Sequence, residues 1–222
     1  MTKLLALALL LGASLAQAED MIEIRYREQD PGDTPFLTRI LVTPQFLRMD
    51  SGEAEDDFVL LDRQQHQLFN VLRGSNVAML FKPGTLPPRP AAWKVVNTVQ
   101  PAAQGTQRYA LQVNGTLCAE GKVAKAAHPD AALALTEMKT VLAATQYGVW
   151  MASPPELQHD CDLANLVWEF GTALELGLPL EEEEFTGRRR ELEFEGRVPL
   201  QSALFRLPDG MPVMAAPTAP GL

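Results

Sequence analysis

The sequence predicts an α+β fold: a strongly curved antiparallel sheet, an incomplete β-barrel, with two helices packed on its open or concave side. Three observations carry this reading. Met21 to Gln29 alternates apolar with polar residues, and from Arg39 to Val123 short runs follow one another between turn residues, the pattern of strands in a meander. Between Asp130 and Leu176 the apolar spacing changes to that of helices. Beyond Gly177 the chain returns to strand, with two charged runs flanking Thr186-Gly187.

Taken in order, the first element is a leader. Lys3, the apolar run Leu4 to Leu15 and the small residues of Ala16-Gln17-Ala18 follow the layout of a secretory signal peptide cut after Ala18. The run is too short to stay in a bilayer as a span. The expected organisation is a signal peptide over 1–18, one domain over 19–210, and a flexible Pro/Ala-rich tail over 211–222. The expected location is a periplasm, with the mature chain soluble there.

Met21 to Gln29 alternates, placing Ile22, Ile24 and Tyr26 on one face and Glu23, Arg25 and Arg27 on a wet one. Asp30-Pro31-Gly32-Asp33 is a turn, because proline fixes one dihedral and glycine frees the next. Arg39 to Asp50 reads as a second strand, with Pro44 at an edge or bulge since it has no amide proton to donate. Phe58 to Asp62, Gln67 to Leu72 and Val77 to Lys82 form hairpins through Arg63-Gln64-Gln65-His66 and Arg73-Gly74-Ser75-Asn76. The consecutive apolar residues Phe58 to Leu61 predict a strand covered on both faces. Four prolines between Pro83 and Pro90 make a surface loop. Strands resume near Trp93 to Val99, Gln107 to Val113 and Leu117 to Val123.

His128-Pro129-Asp130 opens the first predicted helix, which runs to Tyr147 and ends at Gly148. Asp160 or Asp162 caps a second through Leu176, with Leu163, Leu166, Val167, Phe170 and Leu174 on one face and Gly177 and Pro179 as the stop. In the hairpin that follows, a two-residue loop would set Glu184 opposite Arg189 and Glu183 opposite Arg190, pairing the acidic run with the basic one. Val198 to Phe205 adds a final strand.

Loss of Lys3 with the leader takes the chain from a net charge of −9 to −10. Such a chain does not attract phosphate backbones, so nucleic acid is not an expected partner. After leader removal no run is long enough to cross a membrane as a helix. The only cysteines, Cys118 and Cys161, are an even pair expected to form a disulfide in an oxidising compartment. The alternative, a reactive Cys161 assisted by His159, would require two sequence neighbours to face one another.

Catalytic signatures are missing: there is no nucleophile elbow, zinc-binding helix, phosphate loop or dinucleotide fingerprint. Neither a metal nor a cofactor is implied, and four successive glutamates, Glu181 to Glu184, cannot converge on one ion from a strand. What stands out is apolar. Phe46, Met49, Phe69, Met79, Phe81 and Trp93 lie on strands that could share a concavity, and flat or flexible side chains suit a cleft for an acyl chain.

The stretch Thr38 to Asp50, then Asp57-Phe58-Val59-Leu60-Leu61-Asp62-Arg63, and later Gly177-Leu178-Pro179-Leu180 with Gly187-Arg188, together resemble the LolA/LolB-like lipoprotein-carrier superfamily. The resemblance rests on pattern and order over roughly Met21 to Pro208. It implies an open half-barrel with helices against it and acyl chains bound in its hollow. The late helices and the cysteine pair depart from that family. The expected function is therefore an exported protein that binds a hydrophobic ligand, an acyl chain or lipoprotein, or serves as an envelope carrier or chaperone. The alternative is an accessory that binds another envelope protein through a strand edge. A hydrolase using Asp50, Asp62 or Glu169 is the remaining option.

Overall fold

The computed structural model describes residues 19–125 and 127–216. Twelve strands form one open, mostly antiparallel sheet: β1 Asp20–Gln29, β2 Phe36–Val42, β3 Phe46–Asp50, β4 Phe58–Asp62, β5 Gln67–Leu72, β6 Val77–Phe81, β7 Val95–Pro101, β8 Thr106–Val113, β9 Thr116–Ala124, β10 Leu178–Glu184, β11 Arg189–Pro199 and β12 Val213–Ala215. Their order is β12-β6-β5-β4-β3-β2-β1-β11-β10-β9-β8-β7. The first six strands follow one another as a meander, and β11 then joins that half to a second meander of β7 to β10. The helices are α1 Pro129–Ala152, α2 Asp160–Leu163 and α3 Thr172–Leu176.

The α+β expectation and the curved antiparallel sheet hold, with five differences of detail, one being that the expected strand over Val198 to Phe205 is instead the end of β11 followed by a 3₁₀ turn, Ser202–Phe205. Arg39 to Asp50 is a hairpin, not one strand. Pro44 cannot donate to a ladder, and Phe46 N–H bonds the Thr43 hydroxyl at 2.9 Å while Thr43 N–H bonds the Phe46 carbonyl at 2.9 Å. The first helix passes Gly148, which lies buried inside it, and stops before Pro154-Pro155, where amide donors run out.

The second predicted helix is broken. A π-turn, Ala164–Trp168, follows α2, and the chain then bends before α3. Tertiary bonds hold this shape: Asn165 Nδ2 donates to the Cys118 carbonyl at 2.9 Å, and Trp168 Nε1 donates to the Pro87 carbonyl at 3.3 Å. The wider turn also rotates Leu166 out to solvent, away from the face shared by Leu163 and Val167.

The last difference lies at the C-terminus. Residues 217–222 of the expected tail lie outside the described residues, as does the whole leader. Val213–Ala215 pair in parallel with Ala78–Leu80 and add a strand to the sheet.

Each face of the sheet has its own core. On one side α1 lays Ala131, Leu135, Met138 and Val141 against Ile22, Ile24, Tyr26, Ile40 and Val42. Beside it, α2, the π-turn and α3 cover Tyr109, Leu111, Val113 and Val123. On the opposite side, residues from Val198 to Met211 cover Met21, Leu41, Phe58, Leu60 and Val71. Phe58 and Leu60 therefore face one core and Leu61 the other, as four successive apolar residues require. Each fully buried leucine contributes roughly 1.5–3 kcal/mol.

The C-terminal cover is fastened by charge. Asp50, fully buried, accepts from Arg39 at 2.8 Å and from Arg48 at 2.5 Å. Arg48 also donates to the Leu204 carbonyl at 2.8 Å and lies 3.7 Å over the Phe58 ring. Burial alone would raise the Asp50 carboxyl, but the hydrogen bonds and charges of both arginines hold it below its ordinary value. The cover extends over β1 to β6 and the Val198 end of β11; among the described residues no such core lies on the same face of β7 to β10.

Candidate functional site

The six residues expected to line an apolar cleft do not share one. Phe46 and Phe69 pack in the core under the C-terminal cover, where Phe46 stacks on Phe205 at 6.0 Å. Met49 and Phe81 edge the core beneath α1 on the other face. Met79 is half-buried on β6, opposite Asn70. Trp93 belongs to the core under α2 and α3 and meets the Trp168 ring edge-on at 5.3 Å. Alternation along the strands divides these residues between two faces, so their apolar character serves packing.

Cys118 and Cys161 form the expected disulfide, joining β9 to α2, and both are fully buried. That removes the reactive-thiol alternative. His159 acts as the helix cap, its Nδ1 accepting from Cys161 N–H at 3.1 Å. The carboxylates considered for hydrolysis are also engaged. Asp50 holds two arginines, Asp62 accepts from Gln64 N–H and Gln65 N–H at the hairpin turn, and Glu169 pairs with Arg89.

The charged hairpin folds one residue out of the expected register. Glu182 opposes Arg190 and Glu183 opposes Arg189, because the loop is three residues, Phe185 to Gly187, and not two. Glu184 N–H bonds the Arg188 carbonyl at 2.9 Å, and Gly187 closes the loop with φ of +86°. Such three-residue loops end in a residue of positive φ, which glycine takes without strain. A shift of one residue moves side chains to the other face. Here it sends Glu182 and Arg190 inward beneath α1.

There Glu182 accepts from the Arg190 guanidinium and from the Tyr109 hydroxyl, and Tyr26 donates to the Pro179 carbonyl at 2.8 Å. Gly121 lies between Glu182 and Tyr109 in register, and a Cβ there would run into the Glu181 carbonyl. Burial alone would raise Glu182, yet the charge of Arg190 and the Tyr109 hydrogen bond hold it below the ordinary glutamate value. Burial pushes Glu184 up, helped by the charge of Glu182, and burial followed by Arg190 pushes the Lys139 ammonium down. The hollow beside Lys139, Glu182 and Glu184 holds ≈ 40 Å³, far below the roughly 300 Å³ at which ligand pockets begin. This cluster is a structural junction of helix and sheet.

The larger hollow, ≈ 820 Å³, lies on the face away from the helices. Register places two rows of side chains across it. One runs Gln29, Arg189, Glu183, Glu120, Ala110, Thr98, and the next runs Arg27, Glu191, Glu181, Lys122, Arg108, Gln100. Arg189 pairs with Glu183 at 3.0 Å and Arg27 with Glu193. Among the described residues Arg108, Lys122, Glu120, Glu181 and Glu191 make no ion pair. Arg108 directly opposes Lys122, and Glu181 opposes Glu191, arrangements that cost stability when nothing intervenes.

This trough ends at β7, the edge of the sheet. The bonds from Asn114 N–H to the Lys94 carbonyl (3.0 Å) and from Ala102 N–H to the Thr106 carbonyl (2.9 Å) set the phase of the β7–β8 ladder. Val96, Thr98 and Gln100 therefore bond β8, while Val95, Asn97 and Val99 turn both N–H and C=O outward. Pro101 presents only a carbonyl. The strand carries no charge, and Val96 and Val99 are exposed by 48% and 41%. Edges of this length are ordinarily blunted with lysine, bulges or a covering segment, and among the described residues β7 has none of these along Val95 to Gln100. The sequence reading locates the strand but not its edge position, which depends on β9 pairing with β10.

Among the described residues no cluster of His, Cys, Asp and Glu is arranged to hold a metal, and no helix is long and apolar enough to cross a membrane. No family model and no curated protein matches the chain. Two solved structures of PNGF-II, in different crystal forms, align with 89% of the chain at 9% and 10% identity, with TM-scores of 0.36 and 0.33. The chain spans about a third of the length of PNGF-II, 31% in each comparison. Likeness at this level does not define a shared fold.

Proposed function

We propose that the chain is an exported envelope protein that binds another polypeptide by adding its extended segment to the edge of β7. The observation that carries the reading is the uncharged edge, whose outward amide and carbonyl groups at Val95, Asn97 and Val99 have no strand beside them among the described residues. Export is supported by the leader-like first eighteen residues and by the buried disulfide, since such bonds persist in oxidising compartments. The open sheet with helices on one face also supports kinship with the half-barrel carriers. An acyl-chain ligand has less behind it, because the six residues that would line its cleft are split between two cores.

In vivo photo-cross-linking from position 99 tests the reading. The parent protein is expected to yield a discrete protein adduct, and Asn97→Pro to lose it, since proline removes an outward amide without touching the β8 ladder. An adduct unchanged in Asn97→Pro, or lipid co-purifying in native mass spectrometry with no protein adduct, would refute strand addition.

A further inference from the structure

The trough beside β7 carries charges that make no ion pair among the described residues, and their positions are fixed relative to the open edge. Thr98 and Gln100 both face the trough. Beyond Thr98 lie the short side chain of Ala110 and then Glu120; beyond Gln100 lie Arg108 and then Lys122. Glu120 and Arg108 are exposed and make no ion pair among the described residues. Next to Thr98 on the same face is Val96, half exposed.

We propose, building on the strand-addition reading, that β7 selects segments with an ordered charge pattern on alternate residues: apolar opposite Val96, basic opposite Thr98, acidic opposite Gln100. Strands lie about 4.8 Å apart, so a side chain opposite Thr98 starts about 14 Å from the Glu120 position, and one opposite Gln100 about 10 Å from that of Arg108. A lysine or arginine stem crosses Thr98 and Ala110 because both are short, and its head reaches the Glu120 carboxylate. An aspartate or glutamate opposite Gln100 meets Arg108 extended toward it, with Lys122 standing between Arg108 and Glu181 in the same row. The occupant is a polypeptide because the rim offers backbone hydrogen bonds, and its charges follow from the floor. For an antiparallel segment the order from its N-terminus is acidic, any, basic, any, apolar; a parallel segment carries the reverse.

Fluorescence anisotropy with two labelled seven-residue peptides tests this: Thr-Asp-Thr-Lys-Thr-Val-Thr and its charge-exchanged form Thr-Lys-Thr-Asp-Thr-Val-Thr, together with the sequence reversal of each. The parent protein is expected to favour one charge order over its exchange by about five-fold at low salt, as two exposed ion pairs allow. The double variant Arg108→Glu with Glu120→Arg, both exposed sites, is expected to favour the exchanged peptide. Equal binding of both charge orders by both proteins would overturn the charge pattern while leaving strand addition intact, provided Asn97→Pro abolishes the binding. Binding of no peptide to the parent, or binding that survives Asn97→Pro, would overturn the pattern and strand addition together.

Discussion

Replacing Glu182 by leucine strands Arg190 beneath α1 without its carboxylate and deprives the Tyr109 hydroxyl of its acceptor. The two side chains of the ion pair are only 10% and 21% exposed, so water restores little of what is lost. Removing one member of a buried pair costs about 3–5 kcal/mol, and this partial exposure puts the expected loss near the lower figure. For a chain of this size about 3 kcal/mol corresponds to a fall in Tm of roughly 6–12 °C. The double variant Glu182→Leu with Arg190→Met removes both charges and keeps the volume apolar. It is expected to be more stable than Glu182→Leu alone, because no guanidinium is then left buried without its carboxylate, the lost acceptor of the Tyr109 hydroxyl being the cost that remains. Urea denaturation followed by circular dichroism measures all four corners of the cycle. A single variant within about 0.5 kcal/mol of the parent, or a double variant as unstable as the sum of the singles, would refute the claim that burial makes this pair interdependent.

Reduction of the disulfide, or Cys118→Ala with Cys161→Ala, frees a loop with a sequence separation of 43 and is expected to cost about 4 kcal/mol, read as a fall in Tm of roughly 8–16 °C; an unchanged melting curve under reductant would contradict it. Acid is expected to destabilise the fold. Asp50 and Glu182 have folded values below their ordinary 3.8 and 4.5, so their stabilisation is present above those values and is lost as pH falls through the folded ones. Glu184 has the opposite sign: its carboxyl is raised, so its contribution is present below 4.5 and is lost as pH rises through the folded value. Glu184→Gln is therefore expected to raise the urea midpoint at neutral pH and to leave it unchanged in acid, and a midpoint lowered at neutral pH would overturn that assignment.

Local rules carried much of the fold. Period-two alternation located β1, the short runs between turn residues located β4 to β6, His66 and Asn76 take the positive φ that their turns demand, and the doubly covered β4 followed from four apolar residues in a row. What local rules missed was decided by contacts distant in sequence. The hairpin register depended on a loop one residue longer than the tightest choice, and that single residue determined whether Glu182 and Arg190 faced water or α1. The broken helix depended on Asn165 reaching Cys118 and Trp168 reaching Pro87. The candidate interface was legible only in part: the composition of Val95 to Pro101 is visible, but its place at the rim follows from strand order. Phe46, Met49, Phe69, Met79, Phe81 and Trp93 were recognisably interior residues, yet nothing local told which of two interiors each would enter.

The parallel seating of Val213–Ala215 on β6 has a consequence for self-association. With that margin occupied by so short a strand, lengthy growth of the sheet is available from one direction only. Two copies meeting there would consume both of their long rims in a single two-fold contact, leaving among the described residues only the three-residue rim of β12 on each. Any homotypic pairing should stop at a dimer and not run on into fibres.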